Sequence, residues 1–153
     1  MVDIHHEGTC DAPLDVAFAY LDDYRNAPTW MFGLSTFAPA DGAPDHGLGA
    51  KFDATFAVKP VTIKSTIEIT EWTQHEVIAF KSVQGFKNWS TWRFSEAGDE
   101  HTKIDVVFSY ELPGGLAGKA LGRALEPIAA VTIRHSDEAL RRNVAAYYAE
   151  TRG

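Results

Sequence analysis

The sequence predicts an α+β domain in which a curved, seven-stranded antiparallel sheet surrounds a long C-terminal helix, with two short helices between the first two strands. Three observations support this fold class. Apolar and polar residues alternate along short segments between residues 33 and 112, which is the period of strands with one wet face. An Asp-Ala-Pro sequence at 11–13 is typical of a helix start. Residues 116 to 149 instead carry apolar positions at three- and four-residue steps.

The N-terminal part predicts one strand and two short helices. Residues 2 to 10 are assigned to the first strand. Asp11 is expected to cap the free amides of the following helix, and Pro13 suits its first turn because proline has no N–H to satisfy. A second short helix is predicted from Tyr24 to about Trp30. Both helices are too short for a crossover between parallel strands, so we interpret them as a plug between the first and second strands.

Six further strands are predicted in hairpin succession. The alternation is clearest on either side of a turn at Lys59-Pro60, where Phe52, Ala54 and Phe56 precede the turn and Ile63, Ile67 and Ile69 follow it. The other predicted strands cover residues 33 to 39, 75 to 83, 88 to 95 and 103 to 112. Short turns between consecutive strands favour an antiparallel meander.

The C-terminal segment predicts a helix long enough to cross the whole sheet. Pro127 is expected to kink or divide it, because proline lacks an N–H and clashes with the carbonyl four residues earlier. Asp137 with Arg141, and Glu138 with Arg142, are expected to be solvated pairs on the outer side. The predicted inward stripe is small in its first half and larger in its second: Gly118, Gly122, Leu125, Ala129, Ile133, Ser136, Leu140, Val144 and Tyr147.

Length and composition favour a single globular domain over residues 1–153. The chain is 45% hydrophobic and 23% charged, and no apolar run has the ~20 residues of a membrane span. The net charge of −7 argues against a nucleic-acid partner. No secretory signal is visible at the N-terminus, and the only cysteine, Cys10, suits a reducing compartment, so a cytoplasmic location without integral membrane association is expected.

The chain resembles the SRPBCC superfamily, which includes START and Bet v 1-like proteins, and within it the polyketide cyclase/dehydrase-like group. The resemblance covers essentially the whole chain. It is strongest in residues 11–30, and the later motifs Gly47-x-Gly49, Glu71-Trp72, Trp92-x-Phe94 and Thr102-Lys103-Ile104 also match. The first region contains Ala12-Pro13 at the helix start, the apolar residues Val16 and Phe18, an acidic residue at Asp22 or Asp23, and Trp30 at the end of the second helix. The resemblance implies a helix-grip fold, whose known members include lipid and hormone carriers and aromatase/cyclases.

The candidate site is a cavity between the sheet and the final helix that binds a small, mostly apolar, lipid- or polyketide-like molecule. Small residues on the helix stripe would leave room for such a ligand, and serines on inward positions would orient it. The resemblance implies that Trp30 and Phe32 lie at the pocket entrance, where they would gate access or serve as packing residues. The predicted ligand-binding residues are Trp30, Phe32, Phe56, Ile63, Ser65, Ile67, Phe80, Ser82, Trp92, Phe108, Tyr110, Leu125, Ala129 and Ser136.

The sequence does not predict a catalytic, metal or cofactor site. The six histidines are dispersed, no metal-ligand or phosphate-loop spacing occurs, and no cofactor is expected. His135, near the edge of the helix stripe, is the one histidine considered for proton transfer. Arg93 resembles a residue type used by some family cyclases, but its alternation with Trp92 and Phe94 places it on the wet face.

Three hypotheses of function remain open at this point. The first is a binding protein for an apolar ligand. The second is a cyclase or dehydratase, implied by the resemblance, with His135, Tyr110 or Ser65 facing the pocket. The third is a regulatory or interaction protein whose cavity is filled by side chains and whose protein partner is unknown.

Overall fold

The computed structural model describes residues 2–58 and 61–152 and confirms the predicted α+β helix-grip fold. The elements in chain order are β1 (Val2–Cys10), α1 (Leu14–Asp22), a 3₁₀ turn (Tyr24–Asn26), α2 (Ala27–Trp30), β2 (Leu34–Pro39), β3 (Lys51–Val58), β4 (Val61–Thr73), β5 (Val77–Gly85), β6 (Asn88–Glu96), β7 (Thr102–Tyr110) and α3 (Gly115–Arg152).

All seven strands belong to one antiparallel sheet in the order β1-β7-β6-β5-β4-β3-β2. The chain thus runs as a meander from β2 to β7, and β1 pairs with β7 along its whole length, from Val2 opposite Tyr110 to Cys10 opposite Thr102. Register shifts interrupt the pairing of β2 with β3 and occur twice between β4 and β5. Such irregularities bend strands locally, so the sheet can curve around α3.

Two predictions near strand and helix starts were wrong. The strand expected from residue 75 begins at Val77, because residues 74–76 form a turn in which His75 adopts a positive φ of 64°. Asp11 does not cap α1, whose N-cap residue is Pro13 without a side-chain hydrogen bond. The Asp11 carboxylate instead lies 3.1 Å from His101 Nδ1 on the surface. The turn predicted at Lys59-Pro60 lies outside the described residues.

Helix α3 is a single helix of 38 residues that continues through Pro127 without division. Pro127 is exposed, so the carbonyl of Arg123 that loses its N–H partner lies on a side of the helix that water can reach. The inward stripe is as predicted through Val144, but Tyr147 is 47% exposed. Tyr148 packs on the core in its place, because the stripe continues in steps of four from Ser136 through Leu140 and Val144.

The two glycines at the start of α3 allow close approach and leave no empty space. A Cβ on Gly118 would lie 1.6 Å from the Pro113 carbonyl oxygen, and a Cβ on Gly122 would lie 2.7 Å from a methyl group of Leu112. The chain that leaves β7 therefore folds back directly against the first turns of α3. The small residues predicted to leave a gap do so only further along the helix.

The buried side chains form two clusters. The larger contains α1, the second half of α3 and the middle strands, with Phe52, Ile78 and Leu140 among its fully buried members. The smaller centres on Tyr110 and Leu125 at the other end of α3. The space between these clusters is not completely filled by side chains, and it forms the candidate site.

Candidate functional site

A cavity of about 120 Å³ lies between the sheet and α3. An engineered cavity of ~150 Å³ lined by apolar side chains binds benzene, so this space is somewhat smaller than one that holds a single aromatic ring. It lies below the ~300–1,000 Å³ of typical drug-sized sites. The third hypothesis required a filled core, and the structure does not show one.

The sheet side of the wall follows from the period-2 alternation of the strands. Ile63, Ser65 and Ile67 on β4 face the cavity, as do Trp92 on β6 and Tyr110 on β7. Ser65 lies where β4 begins to bend, opposite Gly85, whose φ is +83°. A Cβ on Gly85 would lie 2.4 Å from the Lys64 carbonyl oxygen, so glycine permits the two strands to approach at this point.

The helix side of the wall comes from three successive turns of α3. Leu125, Ala129 and Ser136 from the predicted stripe face the cavity, together with Thr132 and Ile133. Ala129 occupies the middle of this surface. Its small side chain leaves space between α3 and the sheet at this point.

Eleven of the predicted residues line the cavity: Phe56, Ile63, Ser65, Ile67, Phe80, Trp92, Phe108, Tyr110, Leu125, Ala129 and Ser136. Whether they contact a ligand stays a prediction. Seven further residues complete the wall: Met31, Phe86, Asn88, Ser90, Ile128, Thr132 and Ile133. Asn88 and Ser90 share the strand face of Trp92, a signal present in the alternation, whereas Met31 and Phe86 lie between regular elements where no periodicity identifies them.

Three predicted residues lie outside the cavity wall. Trp30 is 3% exposed and packs edge-on against Trp92, with ring centroids 5.1 Å apart, behind the wall. Phe32 is 41% exposed and contacts the ring of His135. Ser82 belongs to the β5–β6 hairpin, where its Oγ accepts a hydrogen bond from the Asn88 amide at 2.9 Å. Ser82 thus satisfies a local backbone amide instead of lining the cavity.

Hydroxyl groups supply most of the polar surface in the cavity. Ser136 Oγ accepts a 2.9 Å hydrogen bond from the Phe32 amide. Ser65 Oγ, Ser90 Oγ and Tyr110 Oη also line the cavity, and within the described residues they have no hydrogen-bond partner in the protein. Ser65 is 7% exposed and Tyr110 is 4% exposed. These hydroxyl groups face the cavity and can form hydrogen bonds to a polar atom of a guest.

Tyr110 is the only titratable side chain on the described wall. Burial, and then the negative charge of Glu126, raise the pKa of its phenol. Tyr110 therefore remains a protonated hydrogen-bond donor at neutral pH. His135 is exposed and faces away from the cavity, and Arg93 is exposed, as the alternation predicted.

A cluster of polar side chains surrounds the buried carboxylate of Asp137 on α3, and the sequence did not predict it. Asp137 is 0% exposed, and its Oδ2 accepts hydrogen bonds from His6 at 2.5 Å and Arg141 at 3.2 Å. The expected solvated Asp137–Arg141 pair is thus wrong, because β1 covers it. Gly8 makes room, since a Cβ there would lie 2.5 Å from Arg141 Cζ. Burial raises the pKa of Asp137 more strongly than His6 and Arg141 lower it.

None of the helices in the described ranges has an apolar stretch long enough to cross a membrane.

Comparison with known proteins identifies relatives by family and by fold. A family model described as "Polyketide cyclase / dehydrase and lipid transport" matches residues 1–145, whereas no curated protein matches the sequence. Among solved structures, a protein from Thermus thermophilus is 18% identical, with a TM-score of 0.80 over 95% of this chain and 99% of that one. A conserved protein from Geobacillus kaustophilus is 14% identical, with a TM-score of 0.75 over 95% and 96%.

An enzyme is also among the structural neighbours. The aromatase/cyclase Zhui from Streptomyces sp. R1128 is 16% identical, with a TM-score of 0.71 over 94% of this chain and 93% of that one. At these identities the similarity establishes the fold alone.

Proposed function

The chain belongs to the polyketide cyclase/dehydrase and lipid transport family, and from this premise we propose that it binds a compact, mostly apolar molecule of about one aromatic ring. The observation that carries the proposal is a cavity of about 120 Å³ whose described wall contains eighteen residues, none of them charged. Apolar walls with a few polar points are typical of small-molecule sites. The cavity's size narrows the lipid- or polyketide-like ligand that the sequence suggested, because a fused-ring polyketide or long acyl chain exceeds it.

The hydroxyl groups favour a guest with one hydrogen-bonding atom. Tyr110 can donate to a ligand oxygen, and Ser65 and Ser90 can donate or accept. A phenol, or a small cyclic ketone or alcohol, matches this combination better than a pure hydrocarbon does. Binding in a pocket of this kind needs no partner protein and no nucleic acid, and we propose that it takes place in the cytoplasm.

A cyclase or dehydratase is the second candidate, because Tyr110 and Ser65 both line the cavity and an aromatase/cyclase shares the fold. The candidate is the weaker one for a physical reason. Proton transfer near neutral pH needs a group whose pKa lies near that pH, and the pKa of Tyr110 is raised away from it. His135, the other proton-transfer candidate, does not line this cavity.

A graded set of ligands tests the proposal. Benzene, phenol, naphthalene, anthracene and dodecanoate would be titrated against isotope-labelled protein. The methyl resonances of Ile63, Ile67 and Ile133, which line the cavity, would report occupancy. We expect phenol and benzene to shift these resonances and to raise the melting temperature, with phenol binding more tightly. Shifts only with anthracene or dodecanoate, or with no compound, would overturn the assignment of a one-ring ligand.

A further inference from the structure

A surface cleft of about 480 Å³ lies beside the cavity, on the other side of Met31. One wall is the segment 28–34, which runs from within α2 to the first residue of β2. The other wall is a stripe of α3 formed by His135, Glu138, Ala139 and Arg142, which repeats at three- and four-residue steps and therefore faces one direction.

Hydrogen bonds hold this cleft in shape at two places. The Asn143 side-chain amide donates to the Thr29 carbonyl at 2.9 Å, and the Phe32 amide donates to Ser136 Oγ at 2.9 Å. The second bond lies on the boundary with the cavity, because Ser136 lines the cavity and Phe32 lines the cleft. The segment 28–34 is thus attached to α3 at two points.

Charged side chains distinguish the cleft from the cavity, because Glu138 and Arg142 both line the cleft. The i,i+4 spacing predicts an ion pair with Glu138, but within the described residues Arg142 has neither an ion pair nor a hydrogen bond. By comparison, Arg141 on the same turn is bonded to Asp137. A guanidinium without a protein partner can bind a carboxylate by donating two parallel hydrogen bonds.

Met31 separates the two spaces and borders both of them. Its side chain is unbranched and has several rotatable bonds, so it changes rotamer at little cost. With Met31 rotated away, the cavity of about 120 Å³ would join the cleft of about 480 Å³. The combined site falls within the ~300–1,000 Å³ that is usual for small-molecule sites.

We propose that the ligand is an amphipathic acid, with an apolar ring in the cavity, a short linker passing Met31, and a carboxylate bound by Arg142. The inference rests on the proposed function and adds a charged head group to it. The cavity supplies hydrophobic burial for the ring, and the cleft supplies recognition of the anion.

Matched acids and alcohols test this inference. Phenylacetate, 3-phenylpropionate and 4-phenylbutyrate, each beside its corresponding alcohol, would be titrated by calorimetry at low ionic strength. For at least one linker length, the acid should bind roughly tenfold more tightly than the alcohol. Arg142→Gln should abolish this preference without weakening alcohol binding. Arg134→Gln, an exposed α3 arginine outside the cleft, should retain the preference, which should also decrease with salt.

The outcomes separate this inference from the proposed function. Equal affinity for acids and alcohols at every length, or an acid preference that survives Arg142→Gln, would overturn the head-group assignment and leave ring binding intact. Failure of all six compounds, and of benzene and phenol, to bind would overturn both. Acid binding that is unaffected when the cavity is filled by Ala129→Leu would also overturn the inference, because the acid would then occupy the cleft alone.

Discussion

Filling the cavity from α3 should abolish ligand binding without unfolding the protein, and Ala129→Leu is the substitution that tests this. Ala129 lies mid-wall on α3. At ~24 cal/mol per Å³, an empty space of about 120 Å³ costs about 3 kcal/mol of stability. The substitution adds three carbon atoms, which stabilise by up to about 2 kcal/mol at ~0.8 kcal/mol each, less any strain from an imperfect fit.

The assay combines urea unfolding with ligand titration. Ala129→Leu should keep or increase the free energy of unfolding, by up to ~2 kcal/mol, and should weaken the binding of benzene and phenol at least tenfold. Ala130→Leu is the matched control, because Ala130 is exposed on the next position of the same helix, and it should change stability by less than ~0.5 kcal/mol and binding not at all. A folded Ala129→Leu protein that binds phenol with unchanged affinity would refute the assignment of the site.

Three further predictions concern individual groups. Tyr110→Phe should weaken phenol binding by roughly five- to tenfold, the loss of about one neutral hydrogen bond, and leave benzene affinity unchanged in the same titration. Gly118→Ala should lower the free energy of unfolding in urea by more than ~2 kcal/mol, because its Cβ would lie 1.6 Å from the Pro113 carbonyl oxygen. Gly114→Ala is the control and should be nearly neutral, because a Cβ on Gly114 meets nothing within 4 Å. For Asp137, the pKa is raised in the folded state, so the native protein binds the proton more tightly than the unfolded chain does. Stability relative to Asp137→Asn should therefore fall as pH rises from the ordinary value of 3.8 through the raised folded value; a difference that increases with pH would contradict this sign.

Most of the fold was predictable because it depends on local patterns. Alternation along β3, β4, β6 and β7 identified the strands and also the side that faces inward, since successive side chains point to opposite faces. The misplaced start of β5 has a local cause, the positive φ of His75 in the preceding turn. A histidine gives little warning of that conformation, which glycine and asparagine adopt more often.

The cavity wall was predictable only where it is built from regular elements. The predicted residues Ile63, Ser65 and Ile67 line it because the register of β4 carries them inward. Met31 and Phe86 contribute from connecting segments, and Trp30 lies behind the wall although it was expected in it. The direction of a loop side chain depends on which elements pack around it, and no sequence period encodes that.

The Asp137 cluster shows what packing adds to a sequence pattern. Asp137 and Arg141 at i,i+4 are typical of a solvated helix face, yet the strand β1 places His6 on the same carboxylate from 131 positions away. Burial then converts an ordinary surface pair into a desolvated charge with a raised pKa.

By itself, the amino-acid sequence determined the order of the strands and helices and the faces they bury, because side-chain periodicity is a property of the backbone conformation. Only the tertiary structure decided how much space remains between α3 and the sheet and which charged groups are desolvated. It also decided that Arg142 has no ion-pair partner in the described residues. These depend on distances between segments far apart in the chain, and such distances are set by the packing of the whole domain.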